Sequence, residues 1–137
     1  MSSPAARAAI IAELARLAGS LPIIETDDDP RMDAVPATDA AWLAVVFSSV
    51  SEDLASIGTR GADCWDERGV VQLHHFAPAG SAATPAINEL DRIRCGLRAS
   101  RLADTVVLSA SPPMMVGVSG RWVERVSFVE IERRNFG

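Results

Sequence analysis

The sequence predicts an α+β fold, a two-layer sandwich in which two helices pack on one face of a mostly antiparallel sheet of about four to five strands. Two segments have the spacing of amphipathic helices, and the segments between and after them are rich in β-branched and aromatic residues. Because helices do not alternate with every strand, the sheet is expected to be largely antiparallel, with the helices on one side. The 137 residues suit a single domain, 1–137.

The composition is that of a folded, acidic protein. Hydrophobic residues make up 48% of the chain and charged residues 23%, which argues against intrinsic disorder. The net charge of −5 disfavours tight binding to nucleic acid, although it suits a surface along which DNA slides without sticking. No apolar run approaches the roughly 20 residues that span a bilayer. Residues 1–20 show no export signal, so we expect Cys64 and Cys95 to be reduced, buried thiols.

The first helix is predicted to run from Ser3-Pro4 to about Leu17. Proline is tolerated in the first turn of a helix, and Gly19 is a favourable stop. One face of this helix carries the apolar residues Ile10, Ile11, Leu14 and Leu17. We therefore expect the helix to dock on an apolar surface.

The next segments predict an edge strand, a loop and a buried strand. Residues 21–26 are short and β-branched, as edge strands often are. Asp27–Asp29 is interpreted as a solvated acidic loop, because calcium loops space their ligands and include a glycine. Residues 30–40 predict an irregular connection. Trp42–Phe47 is apolar on both faces, which predicts a strand covered on both sides.

The middle of the chain predicts a long loop followed by a hairpin. Residues 48–61 are polar and contain glycine, and loops of this length are usually functional or flexible. Asp63–Trp65 is predicted to form the first arm of the hairpin, with its turn at Asp66–Gly69 and its second arm at Val70–Phe76. Pro78 and Gly80 then end the strand.

The second helix is predicted to begin at Thr84-Pro85, with Thr84 or Ala83 as its N-cap and Gly96 near its end. Its apolar stripe consists of Ile87, Leu90, Ile93 and Leu97. Its last turns carry the basic residues Arg92, Arg94, Arg98 and Arg101. Positive charge at a helix C-terminus is favourable in itself, so these arginines suit a structural role as well as a binding role.

Two strands and a second long loop are predicted at the end of the chain. Leu102–Leu108 predicts a strand, residues 109–120 a loop, and Arg121–Arg133 a long closing strand. In the closing strand Val123, Val129 and Ile131 share one face, and Trp122, Val126 and Phe128 share the other.

The predicted sheet has more apolar surface than two helices can cover. We expect the uncovered face to present Trp42, Val46, Trp122 and Phe128 as an exposed apolar patch. Monomers rarely keep such patches. The sequence therefore predicts that other subunits cover part of this face.

No motif in the sequence predicts catalysis, a metal site or a cofactor. His74 and His75 are adjacent in a strand, so their side chains point to opposite faces and cannot bind one metal together; we expect one to be packed and the other exposed. Pairing of Cys64 or Ser48 with a histidine remains open, but no nucleophile elbow or phosphate-binding loop supports it. We expect the protein not to be an enzyme.

The run SIGTRGADCWDERGVVQLHHFAPAGS at Ser56–Ser81, followed by AINELDRIRCGLRAS, resembles the tail-terminator (tail completion) proteins of long-tailed phages and gene transfer agents. The corresponding pattern of that family is ISIGxxxxxCWxERGxVxLHxFxPxGxG. AWLAVVFSS at Ala41–Ser49 and SGRWVERVSFVEIERR at Ser119–Arg134 are similar to the family's flanking strands. The resemblance covers roughly residues 35–134. Ser81-Ala82 replaces the second glycine of the pattern.

The resemblance implies a small α+β protein that forms a hexameric ring. Such a ring caps the tail tube, ends its polymerisation and joins the tail to a head-side connector, the stopper or adaptor protein. The implied partners are further copies of the chain, the tail tube protein and that connector, while DNA passes through the channel without specific binding and no membrane is involved. The implied location is the head–tail junction of a virion or phage-like particle, after synthesis in the bacterial cytoplasm.

Nine residues are predicted to contact other subunits or partners, because they lie on the apolar face or in the two long loops. They are Trp42, Val46, Glu52, Asp53, Arg60, Met114, Met115, Trp122 and Phe128. Two alternatives remain: a head–tail connector or tail tube subunit of the same particle, and a small ligand-binding or enzymatic α+β domain.

Overall fold

A computed structural model describes residues 4–26, 39–56, 64–102 and 105–136. The predicted acidic loop Asp27–Asp29, most of the connection over 30–40, and Arg60 lie outside these residues.

The described residues contain two helices and six strands. In chain order they are α1 (Pro4–Ala18), β1 (Ile23–Glu25), β2 (Trp42–Ser56), β3 (Cys64–Pro78), α2 (Ala83–Ala99), β4 (Thr105–Ala110), β5 (Met114–Ser119) and β6 (Trp122–Phe136). The strand order in the sheet is β1-β2-β3-β6-β4, and β5 also pairs with β6. All neighbours are antiparallel except β1 and β2, which are parallel.

The α+β fold is confirmed, but the sheet is larger than predicted. The expected four to five strands become six in the described part of the chain, because β4 and β5 pair with successive halves of the long strand β6. The core between the sheet and the helices includes Ile10 and Leu14 from α1 and Leu90, Ile93 and Leu97 from α2.

Both helices were predicted close to their observed bounds. Gly19 follows α1 with φ of 65°, a left-handed conformation that suits glycine. Two details of α2 differ from the prediction. Ile87 is exposed and Ala86 is buried in its place, and the N-cap is Ala82, without a side-chain capping bond, and not Thr84 or Ala83. Gly96 lies near the end of the helix, as predicted, where it packs against Leu17 of α1.

The predicted turn at Asp66–Gly69 is wrong, because β3 is one continuous strand of 15 residues. Its polar segment is paired on both sides, with β2 and with β6, and this pairing satisfies its backbone without a turn. The predicted loop over 48–61 is likewise strand as far as Ser56. The pairing register shifts between Ser49 and Ser51, where β2 has one residue more than β3. Beyond this shift β2 continues to pair with the polar residues of β3.

The predicted loop over 109–120 is mostly strand as well. Only residues 111–113 separate β4 from β5, and a turn at Gly120 and Arg121 connects β5 to β6. Gly120 has φ of 59°, as such a turn requires. The predicted strand Leu102–Leu108 is observed with shifted bounds, as β4.

Alternation along the strands places two different sets of side chains on the two faces of the sheet. The face that carries the helices contains Leu43, Val45, Val71, Leu73, Val129 and Ile131. The other face, called here the open face, contains Trp42, Ala44, Phe76 and Trp122. The two faces predicted for β6 agree with this arrangement, as does the prediction that the start of β2 is buried on both sides.

Candidate interaction surface

Exposed apolar side chains are concentrated at one edge of the sheet. Among the described residues, seven of the eight exposed large hydrophobic side chains lie on β4, β5 or the adjoining part of β6, and the eighth is Ile87 on α2. The seven are Val106, Leu108, Met114, Met115, Val116, Val118 and Phe128. Their exposed fractions range from 37% to 64%. These residues are called the apolar edge below.

The two strands that carry most of the apolar edge, β4 and β5, are also the outermost strands on that side of the sheet. β4 and β5 both pair with β6, and no described strand lies beyond them. The outer N–H and C=O groups of an edge strand can pair with a strand of another chain. An edge that is both apolar and open on its backbone is therefore suited to contact between proteins.

The opposite edge of the sheet is polar and acidic. The short strand β1 pairs only with Leu43–Val45, so β2 forms the edge beyond that point in the described part of the chain. Glu52 and Asp53, both exposed, lie on this part of β2. The two sheet edges thus differ in chemistry.

Arginine side chains lie beside the apolar edge, near the start of β4. Arg98 and Arg101, both exposed, share a cleft with Ser100, Thr105 and Val107. Arg98 also lies 3.7 Å from the Cys95 sulfur, measured from its Nη2. The cleft gives this corner of the molecule a positive charge next to apolar strand residues.

The prediction that Trp42 and Trp122 form part of an exposed apolar patch is wrong. Trp42 is 0% exposed and Trp122 is 6% exposed within the single chain. The Trp42 ring stacks on Phe76 with centroids 4.3 Å apart, and it meets Trp122 edge-on at 6.1 Å. The guanidinium of Arg121 lies 4.8 Å from the centroid of the Trp122 ring. The aromatic residues therefore cover one another.

The other predicted contact residues are more accessible. Val46 is half-buried, Glu52 and Asp53 are exposed on β2, and Met114, Met115 and Phe128 belong to the apolar edge. Their role in contacts between subunits remains a prediction. Sequence reasoning missed Val106, Leu108, Val116 and Val118. The apolar run MMVGV was the available signal, but the prolines before it favoured a loop.

The two histidines point to opposite faces, as predicted. On the open face, His74 Nδ1 lies 3.2 Å from Glu124 Oε1, and His74 Nε2 lies 3.0 Å from Gln72 Oε1. On the helix face, His75 Nε2 lies 2.7 Å from Glu89 Oε1. One histidine of the pair, His75, is packed, as predicted, but the other, His74, is half-buried and not exposed.

His75 and Glu89 line a cleft of about 250 Å³ at the N-terminal end of α2. Burial lowers the pKa of the His75 imidazole, and this effect exceeds the opposing effect of the Glu89 carboxylate. The neutral ring is therefore favoured at neutral pH. The remaining walls are formed mainly by alanine and proline, so the cleft offers few polar groups to a ligand.

The cysteine and serine considered as nucleophiles lie far from the histidines. Cys64 is ten residues from His74 along β3, or about 33 Å at the rise of a strand. The Ser48 hydroxyl donates a hydrogen bond to the Val70 carbonyl over 3.3 Å. The structure therefore does not bring either candidate to a histidine. Cys64 and Cys95 are both free thiols; Cys64 is buried and Cys95 is half-buried.

Within the described ranges, no group of three or more histidine, cysteine or carboxylate residues has a geometry that could hold a metal ion. No helix in the same ranges is long and apolar enough to cross a membrane.

The chain was also compared with known proteins. No family model matches it, and no curated protein matches it in sequence.

Proposed function

We propose that the protein is a structural subunit of a ring that caps the tail tube of a phage-like particle, ends tube polymerisation and joins the tail to the head-side connector. The sequence pattern from Ser56 to Ser81 resembles tail-terminator proteins, and this resemblance supports both the kind of particle and the role in ending the tail tube. The apolar edge supports assembly, and it is the single structural observation on which the proposal depends.

The apolar edge supports assembly because its exposure is costly to a monomer. Each buried square ångström of apolar surface contributes roughly 25 cal/mol to association, before the entropic costs of binding. The edge and the acidic part of β2 are different surfaces on opposite sides of the sheet. A contact between two different surfaces can repeat from copy to copy. The copies form a closed ring when the rotation that relates neighbouring copies returns to the first copy.

In the proposed particle the ring has six copies and lies at the head–tail junction, between the tail tube protein and the stopper or adaptor protein. The net charge of −5 supports passage of DNA through the ring without specific binding. The two tryptophans have no direct part in these contacts, because they are buried in the aromatic cluster of the single chain.

One experiment on particles tests the role. Particles produced without this protein should carry abnormally long or headless tails in electron microscopy, because nothing ends tube polymerisation. Complementation with the natural sequence should restore tails of uniform length. Heads without tails, accompanied by free tails of normal length, would instead indicate a head–tail connector, and heads with no tails of any kind would indicate a tube subunit.

A binding protein for a small ligand is the second candidate function, and the cleft lined by His75 and Glu89 is the observation that favours it. A buried imidazole and a carboxylate in a mostly apolar cleft could orient a small polar molecule. A screen of small metabolites for thermal stabilisation, run in parallel on a His75→Leu variant, tests this reading. Stabilisation of the natural protein alone would support it.

A further inference from the structure

We propose that the cleft between the end of α2 and the start of β4 binds a small organic phosphate, held by the guanidinium groups of Arg98 and Arg101. The ligand class is a phosphate monoester with a compact apolar body. The proposed ring function does not use this site, so the two proposals stand or fall separately.

The cleft is built on two elements that the core holds in place. Its volume is about 540 Å³, within the range that is typical of sites for small molecules. Leu97 anchors the last turn of α2 in the core, and Val107 of β4 packs against the same core. Arg98 and Arg101 line the cleft and are both exposed, so their charged groups are accessible to a ligand.

Two of the four arginines near the end of α2 have structural roles. Arg92 donates a hydrogen bond to the carbonyl of Leu17 and so joins the two helices. Arg94 forms an ion pair with Asp91, and its Nη1 donates to the carbonyl of Ala110 over 3.0 Å. These two arginines are therefore explained by the packing of the fold.

The other two arginines, Arg98 and Arg101, have no such role. Within the described residues neither pairs with a carboxylate, and neither donates to a carbonyl of the last helical turn, as a capping arginine would. The one contact of Arg98 is the long approach to the Cys95 sulfur. Their lack of a carboxylate is notable because many other arginines have one, namely Arg7, Arg16, Arg68, Arg94, Arg121 and Arg134.

A hydroxyl group and a paired carboxylate lie beside these arginines. The Thr105 hydroxyl lines the cleft and makes no hydrogen bond within the described residues, so it is available to a ligand. The Ser100 hydroxyl is already used, because it donates to Glu13 Oε1 over 2.7 Å. Glu13 is itself paired with Arg16, and this pairing offsets its negative charge near the cleft.

A further arginine adds positive charge at this corner of the sheet. Arg133 is directly opposite Thr105 in the pairing of β4 with β6. Its Nε and Nη1 atoms are buried and have no hydrogen-bond partner within the described residues. Glu67 lies on the other side of Arg133 in the same row and offsets part of this charge. The charges of Arg98 and Arg101 are thus left for a ligand.

Two unpaired guanidinium groups in one cleft favour a phosphate monoester. Such a group carries roughly −1.5 to −2 charges at neutral pH and three acceptor oxygens, and arginine binds phosphate oxygens in a bidentate manner. A single carboxylate would neutralise only one of the two arginines. Leu102, Val106 and Val107 give the cleft an apolar side, and Val106 is 61% exposed. That side suits an apolar body attached to the phosphate.

Calorimetric titration of the full chain with phenyl phosphate tests the site. At about pH 8 the phosphate is a dianion, so both arginines can be neutralised. Phenyl phosphate should bind about tenfold more tightly than inorganic phosphate, which lacks an apolar body, and than phenyl sulfate, which carries one charge. Absence of binding by phenyl phosphate, or equal affinities for all three anions, would overturn the inference and leave the proposed ring intact.

Arginine variants locate the binding site. Arg98→Gln and Arg101→Gln should each weaken the binding of phenyl phosphate by about tenfold, because each removes a charge-assisted hydrogen-bond donor. Arg92→Gln is the matched control, since it removes the same charge from an exposed position of the same helix and should leave the affinity unchanged. Equal weakening in all three variants would contradict a defined site, because net charge alone would then control binding.

Two further measurements define the ligand class. Val106→Ser should weaken the binding of phenyl phosphate and leave that of inorganic phosphate unchanged, because only the apolar side of the cleft is altered. Equal effects on both anions would contradict contact between that side and the apolar body. A duplex oligonucleotide that binds more tightly than phenyl phosphate, with the same dependence on Arg98 and Arg101, would overturn the small-molecule site in favour of a nucleic-acid surface.

Discussion

His75 shows how burial controls a titratable side chain in this protein. Its ring is 0% exposed, Nε2 contacts Glu89, and Nδ1 has no hydrogen-bond partner in the described part of the chain. Burial disfavours the charged imidazolium and lowers the pKa of His75. A histidine with this environment acts mainly as a packed core residue.

The lowered pKa of His75 predicts loss of stability in mild acid. In the unfolded chain the imidazole binds a proton below about pH 6.5. The folded protein binds that proton only at lower pH, so the free energy of unfolding should fall as pH decreases from about 6.5 through the folded pKa. Urea denaturation at several pH values should show a weaker dependence in this window for His75→Leu. Equal slopes for both proteins would contradict the prediction.

The aromatic cluster predicts a large effect of truncating Trp42. Trp42→Ala should lower the free energy of unfolding by about 3–5 kcal/mol, because the side chain is fully buried against Phe76 and Trp122. Trp42→Phe should cost much less, since the indole N–H makes no hydrogen bond within the described residues. Chemical denaturation measures both. Similar losses of unfolding free energy in the two variants would contradict this prediction, because they would show that the shape of the side chain, and not its apolar volume, determines the cost.

At the scale of elements, the long strands β2 and β3 carry like charges opposite each other. Glu52 faces Glu67 and Asp53 faces Asp66 across the pair, an arrangement that is unfavourable by itself. Strand β6 supplies the compensating charge on the other side of β3, where Arg134 Nε lies 3.2 Å from Asp66 Oδ1. The acidic ends of β2 and β3 therefore depend on β6 for their stability.

The contact between the helices depends on a glycine in the last turn of α2. A Cβ at Gly96 would lie 2.5 Å from a methyl group of Leu17 on α1. Glycine in a helix costs about 1 kcal/mol relative to alanine, so its position here is explained by the close approach of the helices. The helix signals in the sequence cannot separate this use of glycine from a helix end.

Gly96→Val should destabilise the protein by about 1–3 kcal/mol, because the added side chain overlaps Leu17. Ala99→Val is the matched control, since it places the same side chain at an exposed position of the same helix and should cost only helix propensity. Thermal denaturation compares the two. Adding Leu17→Ala to Gly96→Val should cost less than the sum of both single changes, and an additive result would contradict the proposed overlap.

At the scale of the whole molecule, the apolar edge is expected to control assembly and not folding. Met115→Lys or Val118→Lys should leave the unfolding midpoint nearly unchanged, because both side chains are 64% exposed. The same changes should abolish the oligomer in sedimentation experiments, since a charge would have to be buried in the contact. Ile87→Lys is the control, because Ile87 is exposed on α2 away from the edge. Equal loss of assembly in all three variants would contradict a role for the edge.

Sequence patterns predicted the elements whose signals are local. The stripes of α1 and most of α2, the two buried faces of Trp42–Phe47 and the alternation of β6 follow from side-chain periodicity, and the structure agrees with them. The opposite directions of His74 and His75 follow from the same alternation. The α+β fold class was predictable because it depends on the order of these elements.

The tertiary structure decided which polar segments became strands and which apolar residues remained exposed. Asp66–Gly69 has the composition of a turn, yet strands on both sides hold it extended. Residues 114–119 follow two prolines and still pair with β6. Trp42 and Trp122 are buried because they meet Phe76 across strands that are distant in sequence. Sequence fixes local periodicity, but burial and strand pairing depend on contacts between distant residues, and only the folded chain brings those residues together.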